Sequence, residues 1–133
     1  MQRTLMLIKP DAVKAKSAGG IIGMLEKAGF EIKAAKVFEF DAALCQVFYK
    51  DHLAKEFFPR LESFMCSGTS WALILEKENA VCALRELMGD VMPEKRVPGT
   101  IRYHYGHGIT DNGVHGSDSL ENAEREIAII FRC

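Results

Sequence analysis

The sequence predicts an α+β fold built from two β-α-β halves with a helical hairpin inserted between them. Three observations carry this expectation. Short apolar runs suited to strands alternate with stretches whose apolar residues recur at helical spacing. Two helical stretches in succession interrupt that alternation midway, and a long aperiodic segment precedes the last strand. Such an order fits a ferredoxin-like sandwich with a four-stranded antiparallel sheet, an inserted helical hairpin and a long active-site loop. A doubly wound parallel sheet would need a long crossover between every pair of neighbouring strands.

The first strand is Thr4–Ile8, an apolar run too short for a helix and stopped by Lys9-Pro10-Asp11. Ser17 opens a helix with Ile21, Ile22, Leu25 and Ala28 on one face, and Gly29 closes it. Residues 30–40 alternate as a strand with one wet face. Asp41 caps a helix carrying Leu44, Val47 and Phe48, and a second helix over about 56–65 tolerates Pro59 in its first turn. Trp71–Leu75 is a continuous apolar run, hence a central strand. Asn79 caps a helix with Ala80, Leu84, Leu87 and Met88 inward, ending at Gly89. Residues 90–113 lose periodicity, and loops of that length in compact domains are usually functional or disordered. A short strand around Val114-His115 follows, then a helix from about Leu120 with Leu120, Ala123 and Ile127 inward. Asp118 and Glu121 have capping-box spacing at its start.

At 133 residues the chain reads as one domain, 1–133, with roughly two thirds of the unfolded surface buried. A formal net charge of -1 gives no global attraction to nucleic acid or to an anionic membrane. Cys45, Cys66, Cys82 and Cys133 are irregularly spaced without a C-x-x-C, which favours reduced, mostly packed thiols. With no signal peptide and no run of membrane-span length, a soluble cytoplasmic protein is expected.

The stretch Asp111–Ser119, D-N-G-V-H-G-S-D-S, concentrates the chemistry. His115 stands between Gly113 and Gly116 beside a helix start, where free backbone N–H groups favour anions. It could be a nucleophile, a general base, a metal ligand or an ordinary turn residue. Glu126 falls along the margin of the last helix's buried stripe, where a carboxylate could hold one ring nitrogen and leave the other free. Lys9, Arg85 and Arg102 are candidate phosphate groups, since a guanidinium donates two parallel hydrogen bonds. Arg85 can equally be a surface arginine covering core with its stem. A metal site made of His104, His107 and His115 is disfavoured, because the segment is glycine-rich and the cysteines lie elsewhere. Phe57 of the Phe57-Phe58 pair is a candidate to stack a base.

These residues resemble those of the nucleoside diphosphate kinase family from Thr4 to Phe131. The resemblance is carried by T-L-M-L-I-K-P-D-A-V, F-F-P, R-E-L-M-G, P-G-T-I-R and above all N-G-V-H-G-S-D-S followed by A-E-R-E-I. It implies transfer of the γ-phosphate of a nucleoside triphosphate to a nucleoside diphosphate by a ping-pong route through a phosphohistidine, with Mg²⁺ bridging the nucleotide phosphates. It implies no metal ligand from protein side chains. By position, His115 matches the phosphorylated histidine, Glu126 its orienting glutamate with Ser117 beside it, and Tyr49 the neighbouring tyrosine. Lys9 and Asn112 match the groups that bind the sugar hydroxyls, Lys9 also reaching the phosphates, and Arg85 and Arg102 match the phosphate arginines. Phe57 matches the base-stacking aromatic, with Ile109 on the other side of the base. The glycines around His115 would give a triphosphate room to approach. A homo-oligomer, tetramer or hexamer, is implied as well, and a role in nucleic-acid binding is not.

Several positions depart from the family pattern. Val91 stands where a threonine usually donates to phosphate, a loss of about 0.5–1.5 kcal/mol, or roughly tenfold at most. Tyr103-His104 replaces Gly-Asp, and Thr69-Ser70 replaces Gly-Pro. A nucleotide-binding regulatory protein on the same scaffold, with weak or no kinase activity, is the alternative these departures raise. Retention of His115, Glu126, Lys9, Arg85, Arg102 and Asn112 together favours the enzyme.

Overall fold

A computed structural model describes residues 1–131; Cys133, counted above among the thiols, lies outside them. The strands are β1 (Gln2–Ile8), β2 (Glu31–Glu39), β3 (Thr69–Lys77) and β4 (Val114–Gly116). The helices are α1 (Pro10–Lys14), α2 (Ala18–Lys27), α3 (Ala42–Phe48), α4 (Phe58–Met65), α5 (Ala80–Met88), α6 (Ile101–Tyr105) and α7 (Leu120–Phe131). All strand pairs are antiparallel in the order β2-β3-β1-β4, as the ferredoxin-like expectation requires.

β1 is buried on both faces, because helices cover the sheet above and below. Met6 and Ile8 pack with Leu25, Leu84, Met88 and Ile101 on one side. Leu5 and Leu7 pack with Phe48, Met65, Ile127 and Ile130 on the other. Alternation along β1 therefore carries no polar residue from Thr4 to Ile8 that meets water, and its run is continuous instead of period two.

Several local expectations need correction. Asn79 adopts a left-handed conformation (φ 52°, ψ 44°) and makes no side-chain cap, so α5 starts without one. Ser17 likewise makes no cap bond, whereas Asp41 does cap α3 by accepting from Leu44 N at 2.8 Å. At α7, of the three residues with capping chemistry in the sequence, Asp118, Ser119 and Glu121, it is Ser119 that caps, accepting from Asn122 N at 3.1 Å, and the Asp118–Glu121 capping box does not form. Leu120, expected inward, is exposed because it lies just off the sheet-facing stripe of its helix, and Val47 on α3 is exposed as well. Strand β2 carries an irregularity between Ile32 and Ala34, which breaks its alternation. Cys45 is buried and Cys66 half-buried, but Cys82 faces solvent on α5.

The aperiodic stretch 90–113 is not a plain loop. It holds a 3₁₀ turn at Pro93–Lys95 and the five-residue helix α6, anchored by the fully buried Ile101. One turn of helix is too short to register as a period, which is why the sequence does not disclose it. The same holds for α1, begun by Pro10 in its first turn.

Candidate active site

β4 pairs with the C-terminal end of β1, His115 opposite Leu7, so the histidine stands on an edge strand of the sheet. Two glycines flank it, and each has a reason in the backbone or the packing. Gly113 has φ +89°, which an L side chain rarely adopts, and a Cβ on Gly116 would stand 2.6 Å from Met88 Sδ. These glycines allow the β4 turn and the close seat of α5.

His115 Nε2 lies 3.0 Å from Glu126 Oε1, and Ser117 Oγ donates to the same oxygen at 2.8 Å. Ser117 and Glu126 are both buried. An ionised carboxylate only accepts, so Nε2 carries the proton in this pairing and Nδ1 keeps its lone pair. The rings of Phe48 and Tyr49 stand edge-on to the imidazole at 5.2 and 6.1 Å between centroids. These contacts hold the ring in place without using its second nitrogen. The Tyr49 hydroxyl is buried with no hydrogen-bond partner, and burial pushes its acidity well down.

His115 opens onto a cleft of about 410 Å³ whose lining includes Tyr49, Arg85, Val91, Arg102 and Glu126. Arg85 reaches from α5 to the Gly116 carbonyl at 3.4 Å, which places its guanidinium one residue from the nucleophile candidate. Arg102 is buried on α6 and donates to the carbonyls of Gly89 and Val114, both at 2.9 Å, leaving Nε without a partner. Burial and the neighbouring Arg85 and Arg96 lower its pKa to about 10, so it remains cationic at neutral pH.

Lys9 leaves β1 beside this wall and donates to Asn112 Oδ1 at 3.0 Å, while Asn112 Nδ2 donates to the Ile109 carbonyl at 2.7 Å. Burial, then the charge of Arg102, brings Lys9 down to about 8. The structure thus joins Lys9, Asn112 and the backbone of Ile109 into one chain of contacts. Phe57 and Ile109 themselves are exposed, 44% and 56%, outside the lining of the His115 cleft. Phe57 leans on His52 at 5.4 Å between rings.

His52 also lines the cleft, stacks on Tyr49 at 6.1 Å, and has a buried Nδ1 without a partner. Its one signal in the sequence is its position three residues after Tyr49, which puts the two on one face. Arg125 is as inconspicuous in the sequence. It donates to the carbonyls of Val47 and Phe48 at 3.3 and 3.1 Å and approaches Glu126 Oε2 at 3.9 Å. Its adjacency to Glu126 was the available signal.

The assembly presents a ring nitrogen fixed by a carboxylate, guanidinium groups close by and acidic Asp51 and Asp118 on the same lining. It can bind a polyanion and offer it a nitrogen nucleophile. Among the described residues no group of three or more His, Cys, Asp or Glu side chains could hold a metal ion by itself.

Comparison with known proteins agrees with this chemistry. The family model described as nucleoside diphosphate kinase matches residues 2–133. A nucleoside diphosphate kinase of Methanocaldococcus jannaschii is 43% identical over 131 residues, covering 98% of this chain and 94% of its own. That of Campylobacter concisus is 48% identical, with 98% and 96% covered. Among solved structures, the Aquifex aeolicus nucleoside diphosphate kinase superposes with a TM-score of 0.94 at 38% identity, covering 98% of this chain and 94% of that one. The Halobacterium salinarum nucleoside diphosphate kinase in complex with CDP gives 0.94 at 36%, with 99% and 88% covered. An arginine-lined cleft, a carboxylate-held histidine and near full-length similarity converge, and the chain belongs to the nucleoside diphosphate kinase family.

Proposed function

We propose that this chain moves the γ-phosphoryl group of a nucleoside triphosphate to a nucleoside diphosphate through a phosphohistidine at His115. The observation that carries the proposal is the 3.0 Å bond from His115 Nε2 to Glu126, which leaves Nδ1 as the nucleophile. In the first half-reaction the Nδ1 lone pair forms the N–P bond as the bond from phosphorus to the β-phosphate oxygen breaks, and the nucleoside diphosphate leaves. In the second, an incoming diphosphate oxygen forms the new bond to phosphorus and Nδ1 departs with its lone pair restored. Nε2–H stays on Glu126 throughout, so no acid or base has to change state. Phosphoryl transfer of this kind depends on alignment and on spread positive charge.

Arg85 and Arg102 face the phosphates, Lys9 and Asn112 take the sugar hydroxyls, and the Tyr49 hydroxyl is free to donate toward the transferring group. Phe57 and Ile109 hold the two faces of the base at the rim. A π-face is common to all bases, so tolerance of any base follows. Mg²⁺ would fit the arrangement as an ion brought in with the nucleotide, since the described residues form no side-chain metal cluster and only Asp51 and Asp118 on the cleft lining could lend it a carboxylate. When bound it supplies charge neutralisation across the β- and γ-phosphates. A homo-oligomer, tetramer or hexamer, is part of the reading, supported by the open edge of β2 with its exposed Val37. No helix among the described residues is long and apolar enough to cross a membrane.

The test is a two-step label transfer. The protein is incubated with γ-labelled ATP and Mg²⁺, isolated, and given GDP or dTDP. An acid-labile label that passes to the diphosphate is expected. Absence of label on the wild type, or equal label on His115→Ala, would sink the mechanism. Sedimentation velocity tests the assembly, where a monomer at micromolar concentration would refute it.

A further inference from the structure

The two segments on either side of α6 are held together by one side chain. Arg96 donates from Nε to the Asp90 carbonyl at 3.0 Å and from Nη2 to the Val91 carbonyl at 2.7 Å. The same guanidinium donates from Nη1 to the His107 carbonyl at 3.1 Å and from Nη2 to the Gly108 carbonyl at 2.8 Å. Among the described residues no other hydrogen bond joins 90–91 to 107–108. Arg102 takes the preceding carbonyl, Gly89. Three consecutive backbone oxygens, 89 to 91, are therefore satisfied by guanidinium groups, in a stretch where no helix or strand is available to do it. Gly106 lies against this bridge, where a Cβ would meet the backbone carbonyls of Arg102 and Asn112 at 2.8 and 3.0 Å and Arg96 Nη1 at 3.1 Å.

The bridged segments are not arbitrary. Val91 lines the His115 cleft, and Gly108 precedes Ile109, whose carbonyl anchors Asn112 and through it Lys9. We infer that Arg96 is a positioning residue for the nucleotide cleft, a strap that fixes the phosphate-side wall at Val91 relative to the base-side wall at Ile109. This rests on the kinase reading above. Arg96 touches no reacting atom; it acts by holding two walls at one separation before the nucleotide arrives, so that binding does not have to order them. Where Val91 supplies no hydroxyl to the phosphates, a pre-set wall compensates through geometry. Only a guanidinium serves, because a planar fork can span four carbonyls and a lysine ammonium cannot.

Hydrogen exchange of the unliganded protein and steady-state kinetics are measured together for wild type, Arg96→Ala and Arg96→Lys. In Arg96→Ala, exchange at 89–92 and 106–111 is expected to quicken in step by about tenfold or more, with the amides of β1 and β3 unchanged. KM for diphosphate and triphosphate is expected to rise roughly tenfold, about 1.4 kcal/mol of ordering moved onto binding, while kcat changes less than about threefold. Arg96→Lys should resemble Arg96→Ala. Unchanged exchange in Arg96→Ala overturns the strap whether or not the enzyme is active. Faster exchange with unchanged KM in an active variant overturns the positioning role, and full recovery in Arg96→Lys overturns the four-carbonyl geometry. A wild type that takes up no label refutes the kinase reading, and the role in nucleotide binding falls with it, a result distinct from a failed strap.

Discussion

Glu126 Oε1 accepts from His115 and from Ser117 at once, at 3.0 and 2.8 Å, inside a buried site that β4 and α7 close between them. The carboxylate is thereby fixed by a hydroxyl, and the imidazole by the carboxylate. Orientation is passed from a buried serine to the imidazole in two hydrogen bonds. Arg125, one residue earlier, ties the same helix turn to the carbonyls at the end of α3.

Glu126→Gln keeps the shape but lets the amide offer either an acceptor or a donor to Nε2, so the wrong tautomer becomes accessible. The rate of label uptake from ATP should fall roughly 10–100-fold with KM within about threefold. Ser117→Ala loses one hydrogen bond to a charged group and should cost less, about tenfold. Rapid-quench measurement of phosphohistidine formation separates the two. Equal rates in Glu126→Gln and wild type would show that the pairing does not orient the ring.

Lys9 gives a pH dependence whose sign is fixed by its burial. Its pKa in the folded chain is about 8, against an ordinary 10.5. Below pH 8 the folded protein carries a buried ammonium, which disfavours folding. Between about 8 and 10.5 the folded chain sheds that proton while the unfolded chain keeps it, so this residue's contribution to stability rises with pH across that window. Activity moves the other way. As Lys9 neutralises, kcat/KM, which reports the free enzyme, should fall with a midpoint near 8. Lys9→Arg should be slower throughout yet flat over the same range, because a guanidinium does not titrate there. An alkaline limb that persists unchanged in Lys9→Arg would assign it to another group.

Val91 lies on the cleft lining with its carbonyl taken by Arg96, so the backbone path at this position is set independently of its side chain. Val91→Thr is close in shape and adds a donor toward the phosphates. Activity should rise by up to about tenfold or stay level, since one neutral hydrogen bond is worth about 0.5–1.5 kcal/mol. A large loss in kcat/KM would mean that the side chain packs where the hydroxyl cannot be tolerated.

How much of this was legible in the sequence differs by residue. β1, α5 and α7 announce themselves through apolar runs or helical spacing, and the D-N-G-V-H-G-S-D-S stretch marks the nucleophile candidate by composition. The partnership of His115 with Glu126 follows from where Glu126 falls on its helix. By contrast, α1 and α6 are single turns, below the length at which a period shows. Arg96 is invisible as a strap because its partners are backbone carbonyls, which carry no residue identity. His52 was overlooked because nothing in K-D-H-L distinguishes a cleft histidine from a surface one until Tyr49 and Phe57 are seen on either side of it. Asn79 and Asp118 show the opposite failure, in which capping residues sit at suitable positions and other side chains, Gln2 at α5 and Ser119 at α7, accept from the helix instead.

Phe57 is 44% exposed at the start of α4, with the Lys55 ammonium 5.8 Å from its ring centre and His52 on its flank. A ring that is half free and half supported can stack a base without repacking the core. Phe57→Ala should raise KM for every nucleoside diphosphate by about 5–150-fold, the range that corresponds to roughly 1–3 kcal/mol of lost stacking. Because stacking uses the π-face, the increase should be similar for purines and pyrimidines, within a few-fold. In the wild type, efficiencies across bases should differ by tens-fold at most. Competition between GDP and dTDP for the labelled phosphoenzyme measures both. Discrimination of about ten-thousand-fold between them would require hydrogen bonds to base edges, and Phe57 would then not be the principal contact.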